Sequence, residues 1–235
     1  MLDSAALRAR LADVRDRLSR AAGRAGRDTS SIRLIAISKT FSVDYVRALA
    51  DEGQVDFGEN KVQEALQKMD RTSDLHLRWH LVGHLQSNKA RKAAERFDVV
   101  HSIDAADLVT RLDQTAAASL RRLELLVQVD LTGESTKHGV QEQELTSILD
   151  VARACRSARV VGLMLLPPAV GEPEAARPFF RALKGIRDRL LAQGVEGSML
   201  NELSMGMSHD FEVAVEEGAT FVRVGTAIFG SRIHV

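Results

Sequence analysis

Lys39 is the residue of this chain that most directly suggests a chemistry. It follows a largely aliphatic run at 32–38, typical of a buried strand in a parallel sheet, and Thr40, Phe41 and Ser42 come next. In parallel α/β proteins, ligands bind beyond the carboxyl ends of the strands. A lysine that a stiff strand holds there beside apolar surface can have a lowered pKa and form a Schiff base with an aldehyde.

Polar segments follow other aliphatic runs, and two of them have the composition of a phosphate site. Residues 202–208 and 223–226 combine small residues, hydroxyl groups and glycine just before a helix or a turn. Backbone N–H groups in such segments can bind a dianion, and barrel enzymes commonly use the loops after strands seven and eight for this purpose. The competing interpretation is two ordinary Gly/Ser turns.

Arg223 and His80 are further candidates, each with a structural alternative. If the first and last strands are neighbours in a closed barrel, Arg223 and Lys39 can face one cavity. A guanidinium beside a pyridine nitrogen would keep that nitrogen unprotonated; alternatively, Arg223 is a salt-bridged arginine at a strand end. His80 follows Trp79 in a strand-like segment, where a histidine is more often a hydrogen-bonded core residue than a catalyst. Lys137 lies in a loop-like segment, where a surface role is the default.

The elements that must position these residues alternate regularly along the chain. The predicted strands cover 33–39, 55–59, 78–83, 98–103, 123–131, 159–166, 199–205 and 220–225. The predicted helices between them cover 43–52, 60–69, 87–96, 105–119, 141–154, 174–193 and 208–217. Before the first strand, one apolar stripe predicts an amphipathic helix; it consists of Leu7, Leu11, Val14 and Leu18.

This order predicts an α/β fold, a TIM (β/α)8 barrel with an extra N-terminal helix. An open doubly wound sheet is the alternative, but it would need edge strands, and no predicted strand is markedly more polar than the others. We expect a single domain, with the helix in 1–26 and the barrel in 32–235, because no linker or low-complexity segment divides the chain.

Composition limits the classes of partner. The 32 basic residues balance 32 acidic residues, so we expect neither nucleic acid nor an anionic membrane surface as a partner. No apolar run reaches the length of a membrane span, and charges interrupt the N-terminus too often for a signal peptide. Cys155 is the only cysteine, which excludes an internal disulfide and fits a reducing cytoplasm. We expect it to pack on a helix, and no metal-ligand spacing surrounds it.

Several segments together resemble the YggS/PROSC family of pyridoxal phosphate homeostasis proteins. They are AISKT at 36–40, FGEN at 57–60, WHLVGHLQSNK at 79–89, GESTKHG at 133–139, GLM at 162–164, ELSMGMS at 202–208 and VRVGTAIFG at 222–230. The resemblance implies a single-domain barrel like the N-terminal domain of alanine racemase. It also implies that pyridoxal 5′-phosphate (PLP) is bound as an internal aldimine on Lys39.

The resemblance also implies a role for each matching residue. Arg223 would face the pyridine nitrogen, and Lys137 matches a lysine suspected of a second role in cofactor transfer. The phosphate would be held by Ser204, Met205, Gly206, Gly225 and Thr226. The cofactor pocket would be lined by Asn60, His80 and Met164. Two departures stand out: the family often has proline where this chain has His84, and a lysine or histidine where it has Phe41.

The residues favour a cofactor carrier over an enzyme. A racemase needs acid/base groups on both faces of the substrate, and in the racemases a tyrosine from an additional domain serves the second face. Tyr45, the only tyrosine, falls in a predicted helix, and the chain ends soon after the last strand. Arg223 at the ring nitrogen would also weaken the cofactor as an electron sink.

We therefore predict a cytoplasmic protein, expected to be monomeric, that holds PLP and releases it, with apo PLP enzymes as recipients. The alternatives are a PLP-dependent racemase or lyase with Lys39 as base, and a barrel enzyme that forms its Schiff base with a phosphosugar.

Overall fold

A closed barrel of parallel strands forms the centre of the protein in the computed structural model, which describes residues 3–133 and 138–230. Each strand pairs with the next one along the chain, and the last strand closes on the first, with Ile35 opposite Arg223. The predicted TIM barrel is confirmed. The open sheet is excluded, because the first and last strands are hydrogen-bonded neighbours.

The strands and helices alternate through the described residues. The strands are β1 (Arg33–Ile37), β2 (Asp56–Glu59), β3 (Arg78–Leu81), β4 (Val99–Ile103), β5 (Leu123–Val129), β6 (Ala158–Leu165), β7 (Glu202–Met207) and β8 (Phe221–Val224). The helices are α1 (Ser4–Arg24), α2 (Val43–Ala50), α3 (Val62–Asp70), α4 (Ala90–Arg96), α5 (Ala106–Ala118), α6 (Leu145–Ala154), α7 (Arg177–Ala192), α8 (Phe211–Glu216) and α9 (Thr226–Phe229). None of these helices is both long and apolar enough to cross a membrane.

The boundaries of two strands differ from the prediction in ways that matter for the site. β1 ends at Ile37, two residues before Lys39, because the chain turns at once: the N–H of Phe41 donates to the carbonyl of Ser38, and Thr40 has a φ of 70°. β7 begins and ends later than predicted, since 197–199 form a short 3-10 turn and the strand then continues to 207.

Alternation along the strands separates two apolar regions. Side chains that point outward pack between the strands and the helices, as Phe57, Trp79 and Met205 do. A smaller apolar cluster lies inside the barrel and consists of Ile35, Ile37, Val99, Leu126, Met164 and Phe221. Polar side chains fill the rest of the barrel interior, and they lead to the site.

Helix α1 covers the barrel wall beside the closing strands. The predicted stripe is buried, and an N–H of Arg10 donates to the carbonyl of Ile228 in α9 over 2.7 Å. Arg17 pairs with Glu212 in α8. The helix therefore packs against the elements next to β8, on the outside of the barrel.

Candidate functional site

A cavity of about 580 Å³ opens at the carboxyl ends of the strands. Five of the candidate cofactor-binding residues line it: Lys39, Asn60, Arg223, Gly225 and Thr226. Its volume lies within the range usual for small-molecule sites. Barrel closure thus brings together residues from both ends of the chain.

Other lining residues were not among the individually named candidates. Met207 at the end of β7 and Ser208 and His209 directly after it line the cavity, and Gln128 lies on the wall formed by β5. Ser208 belongs to the segment 202–208, whose composition suggested a phosphate site. Because β7 ends two residues later than predicted, the cavity is lined by 207–209 and not by 204–206.

A buried ion pair supports the turn that carries Lys39. The ammonium of Lys68 donates to the backbone carbonyl of Ser38 over 2.7 Å and to Oε1 of Glu59 over 2.6 Å. The hydroxyl of Ser38 donates to the same Glu59 oxygen over 2.6 Å. On the other side of Lys39, the N–H of Thr40 donates to a carboxylate oxygen of Glu64, which also accepts from Lys68. Both neighbours of Lys39 are therefore tied to this pair.

The Glu59 carboxylate has an unusual environment. Burial raises the pKa of Glu59, which the ammonium of Lys68 opposes. Oε1 accepts from two side chains, whereas the buried Oε2 accepts no hydrogen bond from any residue in 3–133 or 138–230. A carboxylate in this position is stable only with its cation in place.

Arg223 is fixed from below the cavity. One of its nitrogens donates to the hydroxyl of Ser204 over 2.5 Å, and another donates to the carbonyl of Leu165 over 2.8 Å. Burial lowers the pKa of Arg223 to about 10, although the charge of Asp210 opposes this effect. The guanidinium is therefore a cation at neutral pH. The alternative of a salt-bridged arginine does not describe these contacts, which are to neutral groups.

The cavity wall formed by the ends of β7 and β8, beside β1, carries small polar groups. The hydroxyl of Ser208 accepts hydrogen bonds from the N–H groups of Gly225 and Ala227 over 3.0 and 3.3 Å. Gly206, with a φ of 92°, lies near the end of β7, where the pairing with β8 shifts register. Met205 points outward into the main core, behind this wall.

His80, Met164 and Ser204 lie deeper than the cavity lining, inside the barrel, and all three are fully buried. Met164 belongs to the inner apolar cluster. His80 contacts His101, a buried histidine that the sequence analysis did not single out. Its segment, Val99–Ile103, is otherwise a plain buried strand, so nothing in its composition distinguishes it.

The two buried histidines predict a pH-dependent stability. Burial lowers the pKa of His80, and Asp56 offsets part of this effect. Burial, and then the neighbouring His80 and Arg223, lower the pKa of His101 well below its ordinary value. In the unfolded chain both pKa values return to about 6.5. The unfolded chain therefore takes up protons that the folded chain does not, and stability is full above that pH and falls below it.

We expect the free energy of unfolding to fall between pH 7.5 and 5.5, with a limiting slope of about 1.4 kcal/mol per pH unit for each histidine. Urea unfolding at several pH values measures this slope. His101→Gln should reduce it, whereas His76→Gln, at an exposed position, should leave it unchanged. A slope that His101→Gln does not alter would contradict the assignment.

At the cavity rim, His84 and His138 stack with ring centroids 3.6 Å apart and planes inclined by 10°. Nδ1 of His84 lies 3.2 Å from a carboxylate oxygen of Asp104. The three residues could offer one ligand atom each within 4.8 Å, but nearly parallel rings do not direct their lone pairs at a common ion. We interpret the contact as a stacking link between the loops after β3 and β5. Lys137 lies outside the described residues.

Phe41, the second departure, packs away from the cavity lining. Its ring stacks on Phe229 at 4.9 Å and contacts Tyr45 at 5.1 Å. The only tyrosine of the chain therefore belongs to an aromatic cluster beside α2 and α9.

Comparison with known proteins identifies the family. The family profile "Alanine racemase, N-terminal domain" matches residues 3–233. The pyridoxal phosphate homeostasis protein of Aquifex aeolicus is 40% identical over 223 residues, which cover 95% of this chain and 97% of that protein. The chain belongs to the family of pyridoxal phosphate homeostasis proteins. The family member from Escherichia coli K12 is also 40% identical, over 94% of this chain and 95% of its own length.

Solved structures agree with the family and the fold. PipY of Synechococcus elongatus PCC7942, solved with PLP bound, is 39% identical and superposes with a TM-score of 0.81 over 91% of this chain and 100% of PipY. Alanine racemase of Clostridium difficile 630 has a TM-score of 0.74 at 14% identity, over 96% of this chain and 56% of the racemase. The second likeness shows the shared barrel fold.

Proposed function

We propose that this protein holds PLP in the cavity described above and releases it, as a carrier that serves cofactor homeostasis. The observation that carries the proposal is the convergence of Lys39, Arg223 and the Ser208–Gly225 wall on one cavity. An amine, a buried cation and a wall of N–H and hydroxyl groups suit an aldehyde, a pyridine ring and a phosphate, so the residues fit the group. The names of the relatives support the same function.

Each lining residue has a specific role in this proposal. The Lys39 amine is the attachment point: it condenses with the aldehyde, one water is released, and addition of water reverses the bond. Arg223 donates towards the ring nitrogen and keeps it unprotonated, while Asn60 lines the ring. Thr226 and Gly225 bind the phosphate. When bound, PLP supplies a reactive aldehyde, which the protein sequesters.

Residues below the lining act through their neighbours in this proposal. Ser204 fixes Arg223, Gly206 shapes the irregular end of β7 that places Ser208, and Met205 anchors this end of the strand in the core. His80 and Met164 support the cavity from the barrel interior.

The residues around the proposed position of the PLP ring favour a carrier over a racemase. The tyrosine that serves a racemase as its second base has no counterpart among the lining residues, since Tyr45 packs on Phe41 and Phe229. A cationic Arg223 facing the ring nitrogen also opposes the protonation that carbanion chemistry uses. Exchange of amino-acid α-protons in heavy water tests this choice: rapid, stereospecific exchange would support the racemase instead.

We further propose that the protein acts as a monomer in the cytoplasm and that apo PLP enzymes receive the cofactor. The proposal of a monomer is supported by Lys39, Arg223 and Gly225 of a single copy lining the same cavity. Light scattering of the PLP-loaded protein measures the oligomeric state, and a stable dimer would contradict this part of the proposal.

A spectroscopic titration tests the attachment. PLP added to the purified protein should produce the visible absorption band of a lysine-bound pyridoxal, and Lys39→Ala should lose this band. Lys61→Ala is the matched control, because Lys61 is exposed and follows Asn60. An unchanged band in Lys39→Ala would reject Lys39 as the attachment site, and binding of a ketose phosphate in place of PLP, trapped with borohydride, would favour a phosphosugar enzyme.

A further inference from the structure

A chain of hydrogen bonds crosses the barrel interior from Arg223 to the opposite end of the strands. Nη1 of Arg223 lies 2.5 Å from Oγ of Ser204, which lies 2.9 Å from Nδ1 of His101. Nε2 of His101 lies 2.9 Å from Nδ1 of His80, whose Nε2 lies 2.8 Å from Oδ1 of Asp56. Asp56 is the first residue of β2 and retains 18% side-chain exposure. The chain thus begins at the cavity and ends at the other mouth of the barrel.

The donors and acceptors allow one direction when both histidines are neutral. Arg223 can only donate, and the Asp56 carboxylate can only accept. Since a neutral imidazole donates from one nitrogen and accepts at the other, His80 donates from Nε2 to Asp56 and accepts at Nδ1 from His101. His101 in turn accepts at Nδ1 from the Ser204 hydroxyl, which accepts from Arg223. Every donor therefore points from the cation to the carboxylate.

The charges agree with this assignment. Although burial opposes it, the hydrogen bond from His80 and the nearby guanidinium groups of Arg78 and Arg33 keep the pKa of Asp56 below its ordinary value. Burial lowers the pKa of both histidines, which keeps them neutral. An ionised Asp56 and two neutral rings are the protonation states that satisfy the whole chain.

We propose that Asp56 is a positioning residue for Arg223, acting across the barrel through His80, His101 and Ser204. The carboxylate fixes the tautomer of each ring, so the Ser204 hydroxyl donates to His101 and its oxygen accepts from the guanidinium without a competing donor from His101. A chain of aligned hydrogen bonds strengthens each member in a low-dielectric interior. The consequence for PLP rests on the proposed function, in which Arg223 faces the cofactor ring.

The ligand-free protein provides the first test. Nitrogen-15 NMR of the imidazole side chains should show both His80 and His101 as Nε2–H tautomers. An Nδ1–H tautomer at His101 in the wild-type protein would overturn the proposal. This result needs no substituted protein, so it does not depend on whether a variant folds. In Asp56→Asn, the amide can donate as well as accept, so His101 should show a mixture of tautomers and the Arg223 side-chain signals should shift.

PLP affinity provides the second test. Asp56→Asn should weaken PLP binding about fivefold or more, because fivefold is the lower end of the affinity change usual for two coupled sites. Glu124→Gln is the matched control, because Glu124 lies near the start of β5 and pairs with Arg78 but does not join the chain. Its affinity should match the wild type. In a Ser204→Ala background, Asp56→Asn should add less than a twofold change, because the link is already cut.

The outcomes separate this inference from the proposed function. Equal PLP affinities for Asp56→Asn and Glu124→Gln would overturn the inference while PLP binding stands. A wild-type protein that does not bind PLP would overturn the proposed function, and the NMR tautomers would still decide whether Asp56 sets the polarity of the chain.

Discussion

Lys68→Met is expected to lower the free energy of unfolding by about 3–5 kcal/mol, because it leaves the Glu59 carboxylate buried without its cation. Lys68 and Glu59 are both buried, with side-chain exposures of 7% and 0%. The variant also frees the carbonyl of Ser38, so the turn before Lys39 should loosen and PLP binding should weaken with stability. Urea unfolding and PLP titration measure the two effects.

Lys184→Met is the matched control, since the Lys184–Asp188 pair is largely exposed and such pairs contribute at most about 1 kcal/mol. Adding Glu59→Gln to Lys68→Met should recover part of the lost stability, because it removes the unpaired charge. Equal losses in Lys68→Met and Lys184→Met would show that the buried pair does not stabilise the turn.

Gly206→Ala is expected to destabilise the protein by about 2–5 kcal/mol. The alanine would have to adopt a left-handed backbone conformation, and its Cβ would clash with neighbouring atoms. Gly206 has a φ of 92°, and a Cβ there would lie 2.5 Å from Cβ of Ala214 and 3.0 Å from Cα of Phe211, both in α8. Relief of the clash must move α8 or the end of β7 at Met207. The loss of stability should therefore come with weaker PLP binding.

Gly197→Ala provides the comparison, because a Cβ at Gly197 meets no atom within 4 Å and no left-handed φ is involved. Its stability should stay within about 1 kcal/mol of the wild type. Thermal unfolding of both variants measures the difference, and a Gly206→Ala protein as stable as Gly197→Ala would contradict the close packing of β7 on α8.

The features that could be predicted follow from periodicity. Alternating aliphatic and amphipathic segments indicated the barrel, and barrel closure then placed Arg223 near Lys39, although they are far apart in sequence. Strand boundaries were less accurate. Because β7 extends to Met207, the cavity wall uses Met207 and Ser208, at the end of the segment that composition had suggested, and Ser204 lies in the interior.

Contacts between distant segments could not be predicted. Lys68 occupies one position of an amphipathic helix, and only the fold brings it to Ser38 and Glu59. Likewise, His101 and Ser204 are 103 residues apart and meet inside the barrel. Neither contact has a local pattern. The first requires that β1 and β2 pair and that α3 packs beside them, and the second joins β4 to β7 across the barrel interior.

Covalent trapping tests the central claim most directly. The PLP-loaded protein is reduced with borohydride, digested and analysed by mass spectrometry. We predict that the pyridoxyl group is found on the peptide that contains Lys39, in the cavity with Arg223. A modification on a different lysine, or the absence of any modification after loading, would contradict the claim that this cavity holds PLP through Lys39.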